Sequence, residues 1–404
     1  MALINKLEAI GEAIRSKTGK SALLTLDEMP TEIQSIVSGG GGEELPEEAF
    51  VISGNCMYRF ANGGWDWFIR KFGNRITTSK INRADSMFYY STITELPFAL
   101  NFEEKGCSCN SMFCSAKIEH MPPIDFNQTS HQDMSGAFKM MAARDIGTLK
   151  NMYPEKLNEI FSYCYYLRDL PQFEGLNLSR LYSYQYAQAG SMFSECYSLR
   201  SVSTELLKQL YTPMATTASY IFLYGAFNKC YSLDEIVGVS PQTGTVTSNI
   251  FITTFKLCTR TKEIIFDTQA DGTPYSAKWK SQTIDLSDGI GYVSMKGYLN
   301  NILNYNSGIT ADKEVTSDAS YQALKDDPNW FTQDVAYSRY NHNSAVNTIN
   351  SLPDTSAYLS TAGGTNTIKF RSASGSATDG GAINTLTEEE IAVATAKGWT
   401  VTFV

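Results

Sequence analysis

The chain has 404 residues, of which 43% are hydrophobic and 19% charged, and its formal net charge is −9. One hydrophobic core usually stops growing at about 250–300 residues, so several domains or one elongated array are expected. The low charged fraction and the 23 Tyr, 21 Phe and 5 Trp argue against a disordered tail. The acidic balance disfavours a nucleic-acid partner. No segment approaches the ~18 consecutive apolar residues of a membrane span, so no membrane partner is predicted.

Residues 1–38 are predicted to form a separate helical element. Four hydrophobic residues step by four, three and four positions and so share one helix face: Leu3, Leu7, Ile10 and Ile14. Two interpretations are open, a small hairpin that packs on itself and an element for docking or oligomerisation. A helix this short is marginal alone, and the glycine-rich linker at 39–44 separates it from the remainder of the chain. Both features favour docking or oligomerisation.

The same element resembles the N-terminal segment of many tail and other virion proteins of bacteriophages. The similarity lies in the string from Ala13 to Gly19 (AIRSKTG) and in the stretch from Leu26 to Ile33. It covers under a tenth of the chain. The resemblance implies that the chain is a virion component that docks through this element. The composition alone does not indicate such a role.

Residues 45–85 are rich in aromatic side chains and are predicted to form an N-terminal cap. An array of repeats needs a cap, because its first unit otherwise exposes an apolar face. Trp65 and Trp67 alternate around Asp66, so one of them could instead face outward and stack on carbohydrate. Both tryptophans are therefore candidate surface-binding residues.

Residues 86–268 contain seven copies of one pattern, which we call units 1 to 7. Each has a Phe, then a small residue, then aliphatic residues that lead into an extended stretch. The units are centred on Phe88, Phe113, Phe138, Phe161, Phe193, Phe227 and Phe255. Intervals between these residues are 25, 25, 23, 32, 34 and 28 positions. Stacked units would bury a continuous core, with the phenylalanines forming one ladder.

Four of the eight cysteines occupy one equivalent position: Cys164, Cys196, Cys230 and Cys258. Units 1 and 2 carry Ser91 and Ala116 there, which predicts a small buried slot, since a shared catalytic or metal role would not tolerate the exchange. A separate cluster, Cys107-Ser-Cys109 followed by Cys114, resembles part of a zinc site but lacks a second ligand pair. No metal or other cofactor is predicted.

The recurring string MF-x-x-C-x-x-L-x-x-[LIV]-P resembles the BspA-type leucine-rich repeat over about residues 86–268. That family includes surface adhesins of bacteria and protozoa, and it recurs in structural proteins of bacteriophages. The resemblance implies an α/β fold, a leucine-rich-repeat solenoid between an N-terminal helical docking element and a C-terminal α/β cap.

Tyr165, Tyr197 and Tyr231 follow the repeat cysteine directly in three consecutive units and would form a stripe. Two interpretations are open. A buried stripe would need partners for its hydroxyl groups. An exposed stripe would be an adhesive surface, because Tyr combines apolar area with a hydrogen-bonding tip. The three tyrosines are therefore candidate surface-binding residues.

Residues 269–404 are predicted to hold degenerate repeats and the C-terminal cap. The pattern indicates a helix over 345–352 and a strand over 367–370. A capping box at Thr387–Glu390 begins a further helix. The alternation from Trp399 to Phe403 predicts a closing edge strand.

No catalytic constellation is recognisable, and a non-enzymatic protein is predicted. His120, His131 and His342 are scattered without metal-binding spacing. Asp267–Gly272 resembles the start of a calcium loop, but the twelfth position is Lys278, so a polar turn is expected. A glycosidase would need two carboxylates brought together from distant units.

These features predict a phage structural protein that attaches to the particle through its N-terminus. Its repeat body would project for host-surface adhesion, as a tail fibre, receptor-binding protein or head fibre. Expected partners are tail, baseplate, collar or capsid proteins, a host-surface protein or glycan, and further copies of the chain, with a trimer plausible. It would be assembled in the bacterial cytoplasm and exposed on the virion. The alternatives are a purely structural collar, baseplate or capsid-associated protein and, third, a cell-wall-degrading enzyme.

Overall fold

The computed structural model describes the following residues: 12, 50–55, 66–103, 107–127, 132–179, 189–211, 224–239, 244–258, 261–287, 340–371 and 386–404. The chain divides into two compact units, 1–51 and 52–404. In the first, Glu12 is helical and exposed. The predicted docking residues and the 39–44 linker lie outside the described residues: Leu3, Leu7, Ile10 and Ile14. No helix in the described ranges is long and apolar enough to cross a membrane.

The described secondary structure consists mainly of short strands with a few helices. The strands are β1 Val51–Asn55, β2 Thr77–Arg83, β3 Leu100–Asn101, β4 His120–Met121, β5 Ile124–Asp125, β6 Gln132–Asp133, β7 Asp145–Ile146, β8 Leu149–Lys150, β9 Pro154–Lys156, β10 Phe173–Glu174, β11 Glu235–Val239, β12 Glu263–Phe266, β13 Thr283–Asp285, β14 Asn366–Phe370 and β15 Trp399–Phe403. The helices are α1 Asp66–Phe72, α2 Thr204–Tyr211, α3 His342–Ser351, α4 Ser356–Ala362 and α5 Glu388–Ala396.

Neighbouring strands from successive units pair in parallel. One sheet has the order β10–β8–β5–β3, and parallel pairs also form between β4 and β7, β6 and β9, and β11 and β12. In the four-stranded sheet, Leu100, Ile124, Leu149 and Phe173 lie one above another. The chain therefore returns to an equivalent position once per unit, and each unit covers the apolar face of the last.

The phenylalanines of the seven units form a continuous buried ladder. Successive ring centroids, from Phe88 to Phe255, are 4.9, 5.5, 5.3, 6.2, 5.7 and 6.4 Å apart, and the rings are nearly parallel. The longer intervals after units 4 and 5 do not interrupt it. The predicted ladder is confirmed; membership of the leucine-rich-repeat class stays a prediction.

The backbone around each ladder phenylalanine has two residues in the left-handed region. They lie two positions before the Phe and two after it, with φ between +52° and +64°. The first set is Ser86, Ser111, Gly136, Glu159, Ser191, Gly225 and Thr253; the second is Tyr90, Ser115, Met140, Tyr163, Glu195, Lys229 and Leu257. This conformation costs a non-glycine residue roughly 1–2 kcal/mol.

Hydrogen bonds between units offset that cost. In unit 2, the N–H groups of Ser111, Phe113 and Ser115 donate to carbonyls of unit 3 at 2.7–2.9 Å. The intervening N–H groups, of Met112 and Cys114, close turns within the unit at 3.1 Å. Successive amides therefore alternate between a hydrogen bond to the next unit and one within their own unit. In this way the stack provides partners for the backbone N–H and C=O groups without long strands.

The C-terminal predictions are confirmed at the level of elements. The expected helix at 345–352 is α3, which begins three residues earlier because Asn341 caps it. The capping box of α5 is present, with Thr387 accepting from the Glu390 amide and Glu390 accepting from the Thr387 amide. β14 and β15 lie where alternation predicts them, and they pair in parallel. The Asp271 carboxylate accepts from the amide and hydroxyl of Thr273, as expected for a polar turn.

Candidate functional site

The tyrosine stripe is buried. Tyr165, Tyr197 and Tyr231 are 3%, 2% and 0% exposed, and neighbouring rings lie 4.7 and 4.9 Å apart. Their interpretation as surface-binding residues is therefore wrong. Units 4 to 6 contain one residue more than units 1 to 3 in the segment that follows the position of the repeat cysteine. In unit 5 this segment forms an additional turn around Tyr197, which the backbone amide of Leu199 closes by donating to the carbonyl of Cys196. Within that turn the rings pack on one another, and the Tyr197 hydroxyl donates to Glu195 at 2.9 Å.

The two tryptophan candidates are not placed by the structure. Trp65 lies outside the described residues, and so does the side chain of Trp67, whose backbone belongs to α1. Their role as a carbohydrate platform stays a prediction. Next to them, the buried Asp66 carboxylate accepts from the Ser91 hydroxyl at 2.6 Å and from the Thr92 amide at 2.8 Å. Asp66 thereby joins α1 to unit 1.

The repeat cysteines are buried thiols that link adjacent units. Each donates to the carbonyl of the ladder phenylalanine in the preceding unit, at 2.9–3.1 Å: Cys164 to Phe138, Cys196 to Phe161, Cys230 to Phe193 and Cys258 to Phe227. Burial raises the pKa of Cys164 and Cys258 to about 12, and that of Cys196 and Cys230 well above its ordinary value. The predicted packing role is confirmed, and these thiols do not supply thiolate at neutral pH.

The remaining described cysteines are buried free thiols as well. Cys107, Cys109 and Cys114 form no disulfide, and the Cys109 thiol donates to the Cys107 carbonyl at 3.5 Å. Among the described residues, no group of three or more His, Cys, Asp or Glu side chains could hold a metal ion.

We expect the stability of the protein to fall with rising pH partly through its repeat thiols. The pKa of Cys164 in the folded state exceeds that of an unfolded thiol, about 8.5. Its contribution is therefore complete below that value and is lost as the pH rises towards about 12. Between pH 7.5 and pH 10, the free energy of unfolding should fall less in Cys164→Ser than in the wild type, because serine does not titrate. Urea denaturation at both pH values measures this. Equal losses would contradict the assignment.

A cleft of about 650 Å³ lies where units 4, 5 and 6 meet. Unit 4 contributes residues 169–173, unit 5 contributes 201–206 and unit 6 contributes Glu235. Asp169 and Ser201 are joined by a parallel bridge, which fixes the register of the first two segments.

A change in local structure creates this cleft. β10 is the last strand of its sheet, because unit 5 forms helix α2 where units 1 to 4 form a strand. Ser203 directly precedes the helix and caps it, because its hydroxyl accepts from the backbone amide of Leu206 at 3.0 Å. The first turn of α2 then faces the end of β10 across an open space.

The lining combines carboxylates with an apolar wall. Asp169, Glu205 and Glu235 are exposed carboxylates, while the half-buried ring of Phe173 lies beside the buried Val202. None of the described residues that line the cleft is Lys or Arg, but Lys262 behind it lies 3.7 Å from the Glu235 carboxylate. Asp169, Glu205 and Glu235 are all exposed, whereas the acid of a glycosidase usually lies in a shielded pocket. The arrangement suits recognition of a ligand.

Sequence reasoning missed this cleft, because its three segments carry no shared motif. One signal was present. Ser203-Thr204-Glu205 is a helix start within a repeat series that otherwise enters a strand at this point.

A second, smaller cleft of about 390 Å³ lies beside α1 and unit 1. It is lined by Arg70, Lys71 and Glu95, among others, so both signs of charge are present. The Arg70 guanidinium already donates to the Thr92 hydroxyl at 3.0 Å and lies 3.9 Å from Asp66. Those groups hold α1 on unit 1, which makes this cleft the weaker candidate.

Comparison with known proteins adds no relative. No family model matches the chain, and no curated protein or solved structure is significantly similar to it. The bacteriophage and leucine-rich-repeat resemblances therefore stay predictions.

Proposed function

We propose that this chain is a non-enzymatic structural protein of a bacteriophage particle. Residues 1–38 attach it to the virion, and a leucine-rich-repeat solenoid of the BspA type adheres to the host surface. The observation that carries the proposal is the phenylalanine ladder, which links seven units into one stack. A stack of this kind presents a long surface for contacts, and the N-terminal resemblance points to a particle.

Two features of the described residues support adhesion over catalysis. The repeat thiols, which would be the most reactive nucleophiles, are buried and protonated at neutral pH. The cleft between units 4, 5 and 6 has exposed carboxylates beside an apolar wall, which suits binding of a ligand.

Docking through the N-terminal helix predicts that charges on its apolar face prevent assembly. The full chain with Leu7→Asp and Ile10→Asp should be incorporated into particles at least about tenfold less than wild type, because burying an unpaired carboxylate in an apolar interface is costly. Copies per particle, measured by quantitative mass spectrometry of purified virions, check this. Glu12→Gln is the matched control, since Glu12 is helical and exposed.

Normal incorporation of the double variant would refute docking through this face. Adhesion is tested separately, by binding of the full chain to host cells. Absence of binding would favour the structural alternative, in which the repeat body contacts only other virion proteins.

A further inference from the structure

The cleft between units 4, 5 and 6 has the features of a carbohydrate site. We propose that it binds an uncharged oligosaccharide, an inference that rests on the proposed role in adhesion. The sugar ring would lie against Phe173, and the carboxylates of Asp169, Glu205 and Glu235 would accept hydrogen bonds from its hydroxyl groups. The volume of about 650 Å³ falls in the range of about 300–1,000 Å³ that is usual for ligand sites.

The apolar wall is the first argument. A sugar ring has C–H faces and hydroxyl edges, so it needs an apolar surface and polar groups at one place. Phe173 offers the apolar surface, and Leu170 and Val202 extend it. The position of Phe173 is fixed by its pairing with Leu149 in the parallel sheet. The wall is therefore organised before a ligand arrives, which lowers the entropic cost of binding.

The polar groups are the second argument. Three carboxylates from three different units converge on the cleft, together with the amide of Gln172 and the hydroxyl of Ser201. Carboxylates only accept, and hydrogen bonds to them are shorter and stronger than those between neutral groups. Hydroxyl-rich ligands supply many donors. The amide and the Ser201 hydroxyl can both donate and accept, which suits the ring oxygen and the remaining hydroxyl groups.

The sign of the charge selects the class of ligand. Lys262 lies 3.7 Å from the Glu235 carboxylate and offsets part of its charge, but with Asp169 and Glu205 the cleft stays net negative, which disfavours phosphate, sulfate and uronic acid groups. A cationic peptide is the competing occupant. Exposed ion pairs contribute only about 0–1 kcal/mol each, and charges are screened over about 8 Å at physiological salt. A Lys or Arg side chain over the Phe173 ring would gain only about 0.5–1 kcal/mol at an exposed site, and the aliphatic Leu170 and Val202 suit the C–H face of a sugar better, so we favour the uncharged sugar.

The test titrates the full chain with a panel of uncharged oligosaccharides built from glucose, galactose or N-acetylglucosamine. Oligolysine and a sulfated oligosaccharide are compared at 50 and 300 mM NaCl. At least one uncharged oligosaccharide should bind, with an affinity that changes little with salt. Glu235→Gln and Phe173→Leu should each weaken that binding at least about tenfold, which corresponds to 1.4 kcal/mol. Phe173→Leu keeps an apolar side chain and so protects the fold.

Glu174→Gln is the matched control for Glu235→Gln. Glu174 is exposed, lies next to Phe173 on β10 and pairs with Lys150, but it does not line the cleft. It should bind within about twofold of wild type. Binding of oligolysine that falls steeply with salt and is lost in Glu235→Gln would assign the cleft to a cationic peptide. Failure of every uncharged oligosaccharide would also overturn the proposal. If both cleft variants bind host cells as well as the wild type does, the cleft is not the adhesion site, but the proposed adhesion is unaffected. If the wild type does not bind host cells, the proposed adhesive function itself is wrong.

Discussion

Replacing Phe138 with alanine is expected to lower the free energy of unfolding by about 3–5 kcal/mol. Phe138 is 0% exposed, and its ring stacks between Phe113 at 5.5 Å and Phe161 at 5.3 Å. Truncation would leave a cavity between two rigid rings in the middle of the stack. The neighbouring units cannot close it, because hydrogen bonds between units fix their spacing. Urea denaturation followed by circular dichroism measures the loss.

Tyr90→Ala is the control for this substitution. It also replaces an aromatic residue by alanine in a turn of the stack, but Tyr90 is 50% exposed. Its cost should stay below about 1 kcal/mol, as is usual for surface positions. Losses of similar size in the two variants would show that the ladder is not the main source of stability in these units.

The side chains that fill the stack were predictable from the sequence. A position that is stacked on its own copies has to hold a side chain of constant size, so Phe138 recurs as Phe161 and Phe193. The slot for Cys196 holds the small Ser91 and Ala116 in units 1 and 2, although unit 3 has the larger buried Met141 there. The capping box at Thr387 is equally local, because it involves only four consecutive residues. Such features depend on spacing alone.

The backbone of the turns was not predictable. The left-handed position after each phenylalanine holds residues as different as Tyr90, Met140 and Lys229, none of which favours that conformation. Hydrogen bonds to the next unit impose it, and these bonds exist only in the assembled stack. Exposure of Tyr197 was undecidable for a related reason, because tyrosine suits both a wet surface and a buried site with a hydroxyl partner.

The candidate cleft depends on contacts between units that are distant in sequence. Glu235 lies 66 residues after Asp169, and only the stack brings both to one place. The spacing of the repeats predicts which units are neighbours. It does not predict that α2 replaces a strand in unit 5, since the helix depends on the Ser203 cap and on packing against β11.

Replacing Asn366 with aspartate is expected to cost about 3–5 kcal/mol at pH 7. Asn366 is 0% exposed on β14, and its side-chain amide donates to the Trp279 carbonyl at 3.0 Å and the Thr355 hydroxyl at 3.1 Å. The side-chain carbonyl oxygen of Asn366 accepts from the backbone amide of Gln282 at 3.0 Å. Aspartate keeps the shape but removes both donors, turns an oxygen towards the Trp279 carbonyl and buries a charge.

The pH dependence of the Asn366→Asp variant distinguishes a buried charge from a simple loss of hydrogen bonds. Burial raises the pKa of a carboxyl above its unfolded value of about 3.9, so the deficit should be greatest at neutral pH and shrink as the pH falls. Urea denaturation at pH 7 and pH 4.5 measures both. Asn177→Asp is the control. Asn177 is exposed, and its side-chain oxygen accepts from the backbone amide of Ser179, a hydrogen bond that an aspartate at this position can also accept. β13 and β14 are parallel neighbours in one sheet. An Asn366→Asp deficit that is small, or that does not change with pH, would mean that this asparagine does not hold them together.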